Sequence, residues 1–524
     1  MTHSARPGQP GRASLAAHGG PRKGRAVSPI STVSCGPTVR GFIPLSRGLL
    51  FFLILLLFSL RNLPWNLDNY DQAKQAFASR DMLRNGAWLY QHTPSGDVAT
   101  KPPLMGWVSA SLFRLTGSWS VAWRLPSFFA AVTLLLLLYR AGERDWPGAG
   151  GVVAAAAFGL NQTAPRLATL VRTDMLLALM AFLPGWIVYR NLLNRTAATI
   201  RQQVALCLAL TVGLLLKGPV IYAFLLPGLL LFACARPAGT PRAAAGPVPW
   251  LLPLLPFVAW AAWGMVCVPG FYDQVVLREF AGRFDAGGAA HASKPVYYYL
   301  PHLLLKFAPW SLAVAAILAA GVSRRALVVR TETLWLLCWA GGGLLAMSLV
   351  PSKRVDRIFP VIPPLCLLLA ATGGVWHGIE QLRPRLLRAV PVLVLAGVAL
   401  TTVHSAARAG LNAWHDESAL ARFGREAAVQ AADRGRRLAT LCAPDEGLAL
   451  YTGCDRFLET DEAIRQWRDE RVGALVCTQR QRDALAGDLR PFDVVARVSK
   501  NRPDAVVYCL LTRRDGKEGG DRAR

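Results

Sequence analysis

The feature that most constrains this chain is a rhythm: nearly pure apolar runs alternate with short stretches crowded with arginine. Runs at 48–60, 127–138 and 250–267 carry almost no charge. The last approaches the roughly 20 residues that one helix needs to cross a bilayer. Other runs are shorter or broken by Pro and Gly, as happens where membrane helices kink or line a cavity. Only 17% of the 524 residues are charged, against about 25% in soluble domains. Hydrocarbon offers no partner to backbone amides, so the runs must satisfy them internally. An α-helical polytopic membrane protein follows.

Arginine placement gives the expected topology. With Met1 on the cytoplasmic side, every second connection should be basic, and each is: Arg140 and Arg144; Arg190, Arg195 and Arg201; Arg236 and Arg242; Arg324, Arg325 and Arg330; Arg383, Arg385 and Arg388. The count is about eleven spans, up to thirteen. Outer loops are expected at about 63–120 and 269–301, the second closing the gap between the seventh and eighth spans. The formal net charge of +26 would suggest nucleic acid in a soluble protein. Here it is dispersed through loops and tails, and nucleic acid is rejected. Residues 1–67 contain no acidic side chain, which predicts a basic cytoplasmic tail over 1–47 that touches anionic membrane lipid. No small-residue cleavage motif follows the first apolar run, so it reads as a retained anchor.

The spans fill a transmembrane region of 48–407. Beyond it the pattern changes. Short β-rich runs at 438–442, 448–452, 474–478, 493–498 and 505–512 alternate with polar helical stretches at 460–470 and 479–489. This predicts a small extracytoplasmic α/β domain over 408–515 and a polar tail over 516–524. Cys442, Cys454, Cys477 and Cys509 lie in that part, where one or two disulfides could form, their pairing open. No CxxC pair exists, which argues against a cysteine metal site.

On this topology the ionisable residues at membrane depth gather on the outer side, where such costly groups usually mark a site. Asp71, Lys74 and Lys101 fall in the first outer loop, Arg172 and Asp174 open the fourth span, and Lys217 sits in the turn of the fifth and sixth. Glu279, Arg283, His291 and Lys294 lie in the second loop, and Lys353, Arg354 and Arg357 in the third. Carboxylates set among cations suit an anionic ligand together with a proton acceptor. Plainer roles stand beside this one. Asp71 could cap the loop helix, Lys101 could be an interfacial lysine, and Asp174 could pair structurally with Arg172. Tyr297, Tyr298 and Tyr299 could form an interfacial aromatic belt.

Asp71-(x)2-Lys74 through Met82-(x)3-Gly86, followed by Lys101-Pro-Pro-Leu-(x)2-Trp107, resembles the first-loop signature of glycosyltransferase family 39. That GT-C-type group holds the lipid A aminoarabinose transferases and the protein O-mannosyltransferases. Arg172-Thr-Asp174-Met, Leu216-Lys217-Gly218-Pro219, the stretch from Pro269 to Pro309-Trp310 and Ser352-Lys353 continue the resemblance in order. It spans about 45–375. The chain departs from the family in having Gln72 where Glu is common, Lys74 where Arg is frequent, and Arg357 where a Tyr often stands.

The resemblance implies an inverting glycosyltransferase of the inner membrane, using a polyprenyl-phosphate sugar at the outer face. The sugar, hexosyl or pentosyl, and the acceptor stay open: lipid A, another envelope glycan or protein. Asp71 is then the expected base, with Asp174 binding the sugar or orienting a lysine. Lys101, Lys217 and Lys353 are expected phosphate clamps, joined by Lys74 and Arg357. His291, Glu279 and Arg283 would line the acceptor or the lipid's path. No obligatory metal is expected, although a divalent ion between Asp71 and phosphate stays open. Two other classes compete: a secondary transporter, and a non-catalytic lipid-glycan binding protein.

Overall fold

The computed structural model describes residues 42–240, 243–284, 293–315, 330–372, 397, 399–411, 418–441, 443, 445–489, 491–499 and 506–514. His291 and Cys442 lie outside these residues, as do the tails 1–41 and 515–524. So do large parts of the eighth, tenth and eleventh expected spans.

Among the described residues, five helices are long and apolar enough to cross a bilayer: Trp119–Asp145, Asp174–Asn194, Ile200–Lys217, Val248–Cys267 and Thr331–Leu349. Shorter apolar helices run over Arg47–Leu60, Gly150–Gly159 and Val220–Ala235. Their ends fall within a few residues of the apolar runs. Small residues let them approach closely, as membrane helices require in the absence of a hydrophobic drive. A Cβ on Gly342 would lie 2.3 Å from the Gly228 amide nitrogen. The bundle core includes Phe158, Phe182, Trp335 and Trp339, and Trp335 donates its indole N–H to the Gly185 carbonyl at 2.9 Å.

Two amphipathic helices precede the second apolar helix. Helix α1, Tyr70–Asn85, starts at Asn69, whose side chain accepts the Asp71 amide. Asn69, and not Asp71, is therefore the cap. Asp71 lies inside the first turn, where the helix dipole favours a carboxylate. Helix α2, Leu104–Thr116, begins directly after Pro103.

The C-terminal part holds a four-stranded mixed sheet: β1 Leu438–Thr440, β2 Ala474–Thr478, β3 Phe492–Ser499 and β4 Val507–Arg513. Their order is β1-β2-β4-β3, with β1 and β2 parallel and the other pairs antiparallel. Alternation sends Val476 and Leu510 into one core, Leu475 and Leu511 into the other. Cys477 and Cys509 are register partners on β2 and β4, and Cys454 carries a free thiol. Helices Thr460–Arg468 and Gln479–Leu489 fall where the polar stretches predict them. The expected strand at 448–452 is instead helix α3, Gly447–Thr452. Leu448, Ala449 and Leu450 are good helix formers, and the helix starts where a Cβ on Gly447 would stand 2.7 Å from the Leu67 carbonyl oxygen.

This layer packs directly on α1. Phe77 joins the sheet's core beside Phe423, Leu448 and Ala449. Arg80 donates to the carbonyls of Ala449, at 3.3 Å, and Gly453, at 2.6 Å. The Tyr451 hydroxyl donates to Asp68 at 3.0 Å and accepts the Leu67 amide at 2.6 Å.

Candidate active site

Five separate segments bring charged side chains to one place: α1, the Lys101 turn, the start of Asp174–Asn194, the end of Ile200–Lys217 and the loop after Thr331–Leu349. Arg172 is the hub. Its guanidinium lies 2.8 Å from Asp174, 2.8 Å from Asp356 and 3.8 Å from Asp71. Lys217 reaches the other Asp174 oxygen at 2.5 Å. Arg354 reaches Asp71 at 2.6 Å, and Arg166 reaches Asp356 at 3.4 Å. Asp174 is almost completely enclosed, with 2% of its side chain exposed. A charge that deep survives only when paired.

Lys101 differs from the others. It is held by Pro102 and Pro103 within electrostatic reach of Asp71, Lys217 and Arg172. Yet its ammonium makes no hydrogen bond or ion pair among the described residues. Burial pushes it down to about 8, only partly offset by Asp71. Burial also works against the Asp71 charge, but Lys101, Arg354 and Arg172 outweigh it and hold that carboxyl at about 2. The same three carboxylates raise Arg172 despite its burial. Lys101, Arg166, Arg172, Lys217 and Arg354 face Asp71, Asp174 and Asp356, so two positive charges remain without a carboxylate. The arrangement can receive a doubly charged anion without further neutralisation.

The other expected site residues sit around this cluster. Lys74 lines a narrow crevice with Lys101, Gln91 and Pro102, its ammonium 5.6 Å from the Tyr70 ring centroid. Lys353 points elsewhere, donating to the Lys294 carbonyl at 3.0 Å, and its neighbour Arg354 makes the contact with Asp71. Arg357 donates to the Ser352 carbonyl and hydroxyl at 2.7 and 3.0 Å, and burial beside Arg283 pushes it down to about 10. Glu279 and Arg283 pair with each other. Tyr297 is exposed, whereas Tyr299 is buried in the bundle core. Asp356 and Arg166 were not among the expected residues. Asp356 sits between Arg354 and Arg357, where a carboxylate reads as loop charge. Its signal was the position, directly ahead of the apolar run that holds Pro360, Pro363 and Pro364.

The family described as dolichyl-phosphate-mannose-protein mannosyltransferase matches residues 100–273. An undecaprenyl phosphate-alpha-4-amino-4-deoxy-L-arabinose arabinosyl transferase of Pectobacterium atrosepticum is 26% identical over 305 residues, 57% of this chain and 54% of that protein. One from Sodalis glossinidius is 29% identical over 311 residues, 58% and 54% of the two chains. The chain thus spans little more than half the length of these relatives. Among solved structures, ArnT from Cupriavidus metallidurans bound to undecaprenyl phosphate aligns with a TM-score of 0.67 at 20% identity. That alignment covers 90% of this chain and 98% of the other.

Fold and apolar helices together define the architecture: a mostly helical protein with an ArnT-like GT-C fold, whose described residues include five helices long and apolar enough to cross a membrane. Within that fold the chain is similar over residues 100–273 to the dolichyl-phosphate-mannose-protein mannosyltransferase family and, at 26–29% identity, to the arabinosyl transferases.

Proposed function

We propose that this protein is an inverting glycosyltransferase that moves a sugar from a polyprenyl-phosphate donor to an acceptor at the outer face of the inner membrane. One observation carries the reading: a carboxylate, Asp71, lies beside a cation, Lys101, that has no direct partner among the described residues, inside a cluster with two surplus positive charges there. The similar proteins are described as using, or binding, undecaprenyl phosphate, which has the anionic group this cluster suits. By the same likeness a 4-amino-4-deoxy-arabinose is the first sugar to test; the first-loop resemblance makes lipid A the first acceptor. The N-terminus is cytoplasmic in this reading, about eleven spans follow, and the α/β layer is extracytoplasmic.

In this mechanism the acceptor hydroxyl oxygen attacks the anomeric carbon while the bond to the phosphate oxygen breaks. The phosphate leaves with the bonding electrons, and Lys101, Lys217 and Arg354 stabilise its growing charge. The five cations supply the charge that a divalent ion would otherwise bring. Asp71 accepts the hydroxyl proton. A carboxyl held at about 2 is a weak base, so Arg354 must turn from Asp71 to the incoming phosphate. Donor binding then strengthens the base it needs. Asp174 is shut behind Arg172 and Lys217 and orients them.

The test is mass spectrometry of envelope lipids, glycans and proteins from cells expressing the wild-type chain or Asp71→Asn at matched levels. Loss of one sugar-sized increment with the variant supports transfer and names the acceptor. Identical spectra would overturn the assignment.

A further inference from the structure

On the other flank of α1 lies a cavity of about 280 Å³ that the proposed reaction leaves unused. Arg61, Arg124, Arg166 and Arg408 line it, with Gln72 and Asn62 among the neutral groups and no carboxylate in its wall among the described residues. Its volume is at the lower end of ligand pockets, about 300–1,000 Å³, enough for a headgroup and too small for a whole lipid. Two of the arginines are already held. Arg124 donates to the Ser120 carbonyl at 2.7 Å and stacks 4.9 Å from the Trp65 ring. Arg166 is tied to Asp356. Arg61 and Arg408 make no ion pair among the described residues, although Arg61 is within electrostatic reach of both Arg408 and Arg166. Like charges held together around a void need an anion to offset them.

The cavity adjoins the charged cluster without opening the same wall. Successive residues of a helix point about 100° apart. Asp71 therefore faces Arg172 and Arg354, while Gln72 faces the arginines, its oxygen accepting the Val171 amide at 3.1 Å. Arg166–Asp356–Arg172 forms the partition between the two.

We propose that this cavity is a second anion site, which seats an acidic group of the acceptor, a phosphate or carboxylate, while the acceptor's hydroxyl is offered to Asp71 one residue away. Its part in transfer rests on the glycosyltransferase reading; its binding of an anion does not. A headgroup from the surrounding bilayer has the same chemistry and is the source to exclude.

The experiment uses the full chain in nanodiscs of phosphatidylcholine, titrated with inorganic phosphate and read by calorimetry. Wild type should show two saturable sites. Arg61→Gln/Arg408→Gln should weaken one at least tenfold and spare the other, and Lys101→Gln should do the reverse. Gln72→Glu keeps the acceptor for the Val171 amide but places a carboxylate among the arginines, so it should mimic the double arginine variant. Wild-type titration by both of these variants would overturn the site. The same titration in phosphatidylglycerol discs separates the sources. If the arginine site persists there, the acceptor assignment is supported; if the anionic lipid already fills it, that assignment falls. The readout needs no turnover, so loss of the transferase reading through Asp71→Asn would be a separate result.

Discussion

The two flanks of α1 solve opposite electrostatic problems with the same residue types. On the Asp71 side, cations are interleaved with carboxylates, and almost every charge has a partner before any ligand arrives. On the Gln72 side, four arginines surround a void whose described lining holds no carboxylate. The first arrangement is rigid and expensive to disturb; the second is primed for an anion and tolerant of loss. Chemistry that must position a proton acceptor within ångströms belongs in the first, and simple charge recognition in the second.

The comparison can be broken most severely at Asp71. Asp71→Asn should lower the transfer rate of the purified protein by about 10²–10⁴-fold, the usual contribution of a general base, and leave phosphate binding by the arginine cavity unchanged. Arg172→Leu tests the interleaving. It strips the hub from Asp174 and Asp356, both nearly enclosed, and removing one member of a buried ionic network costs about 3–5 kcal/mol. Thermal unfolding in detergent should show that loss, whereas Arg408→Gln, on an exposed residue, should hardly move the midpoint.

A pH titration sharpens the contrast without mutation. Lys101 is held at about 8, so donor affinity should fall as pH rises through that value and its ammonium loses a proton. Arginines stay charged throughout, so phosphate affinity of the cavity should be flat from about pH 7 to 9.5. Lys101→Arg should flatten the donor curve as well. The stability of the empty protein should run the other way. The folded state binds the Lys101 proton less tightly than an unfolded chain, whose value is 10.5, so stability rises as pH climbs from about 8 to 10.5. The smallest effect belongs to Tyr451→Phe, which removes hydroxyl bonds to Asp68 and Leu67. It should cost about 1 kcal/mol and shift both flanks equally, since α1 carries both.

The sequence made the first flank legible and the second nearly invisible. Asp71, Lys101, Arg172, Asp174 and Lys217 stand out because charges at the ends of apolar runs are costly and must be explained. Asp356 hid because arginines stand two residues before it and one after it, so it reads as loop charge. The arginine cavity draws on residues as distant as Arg61 and Arg408, and arginine at a span end is ordinary in a membrane protein. The segment Gly447–Thr452 is short and apolar, which reads equally as a strand, yet Leu-Ala-Leu favours a helix and Gly453, with φ of 76°, marks its C-terminal cap. A glycine after a short apolar run was the available sign.

The insertion of Phe77 among Phe423, Leu448 and Ala449 also sets an order of assembly. The Leu67 amide and its Tyr451 partner are 384 residues apart, and ribosomes add about 5–20 residues per second. The segment bearing Asp71 is therefore made roughly 20–80 s before the residues that seat it. Until those residues arrive, α1 lacks the layer to which Phe77 and Tyr451 tie it.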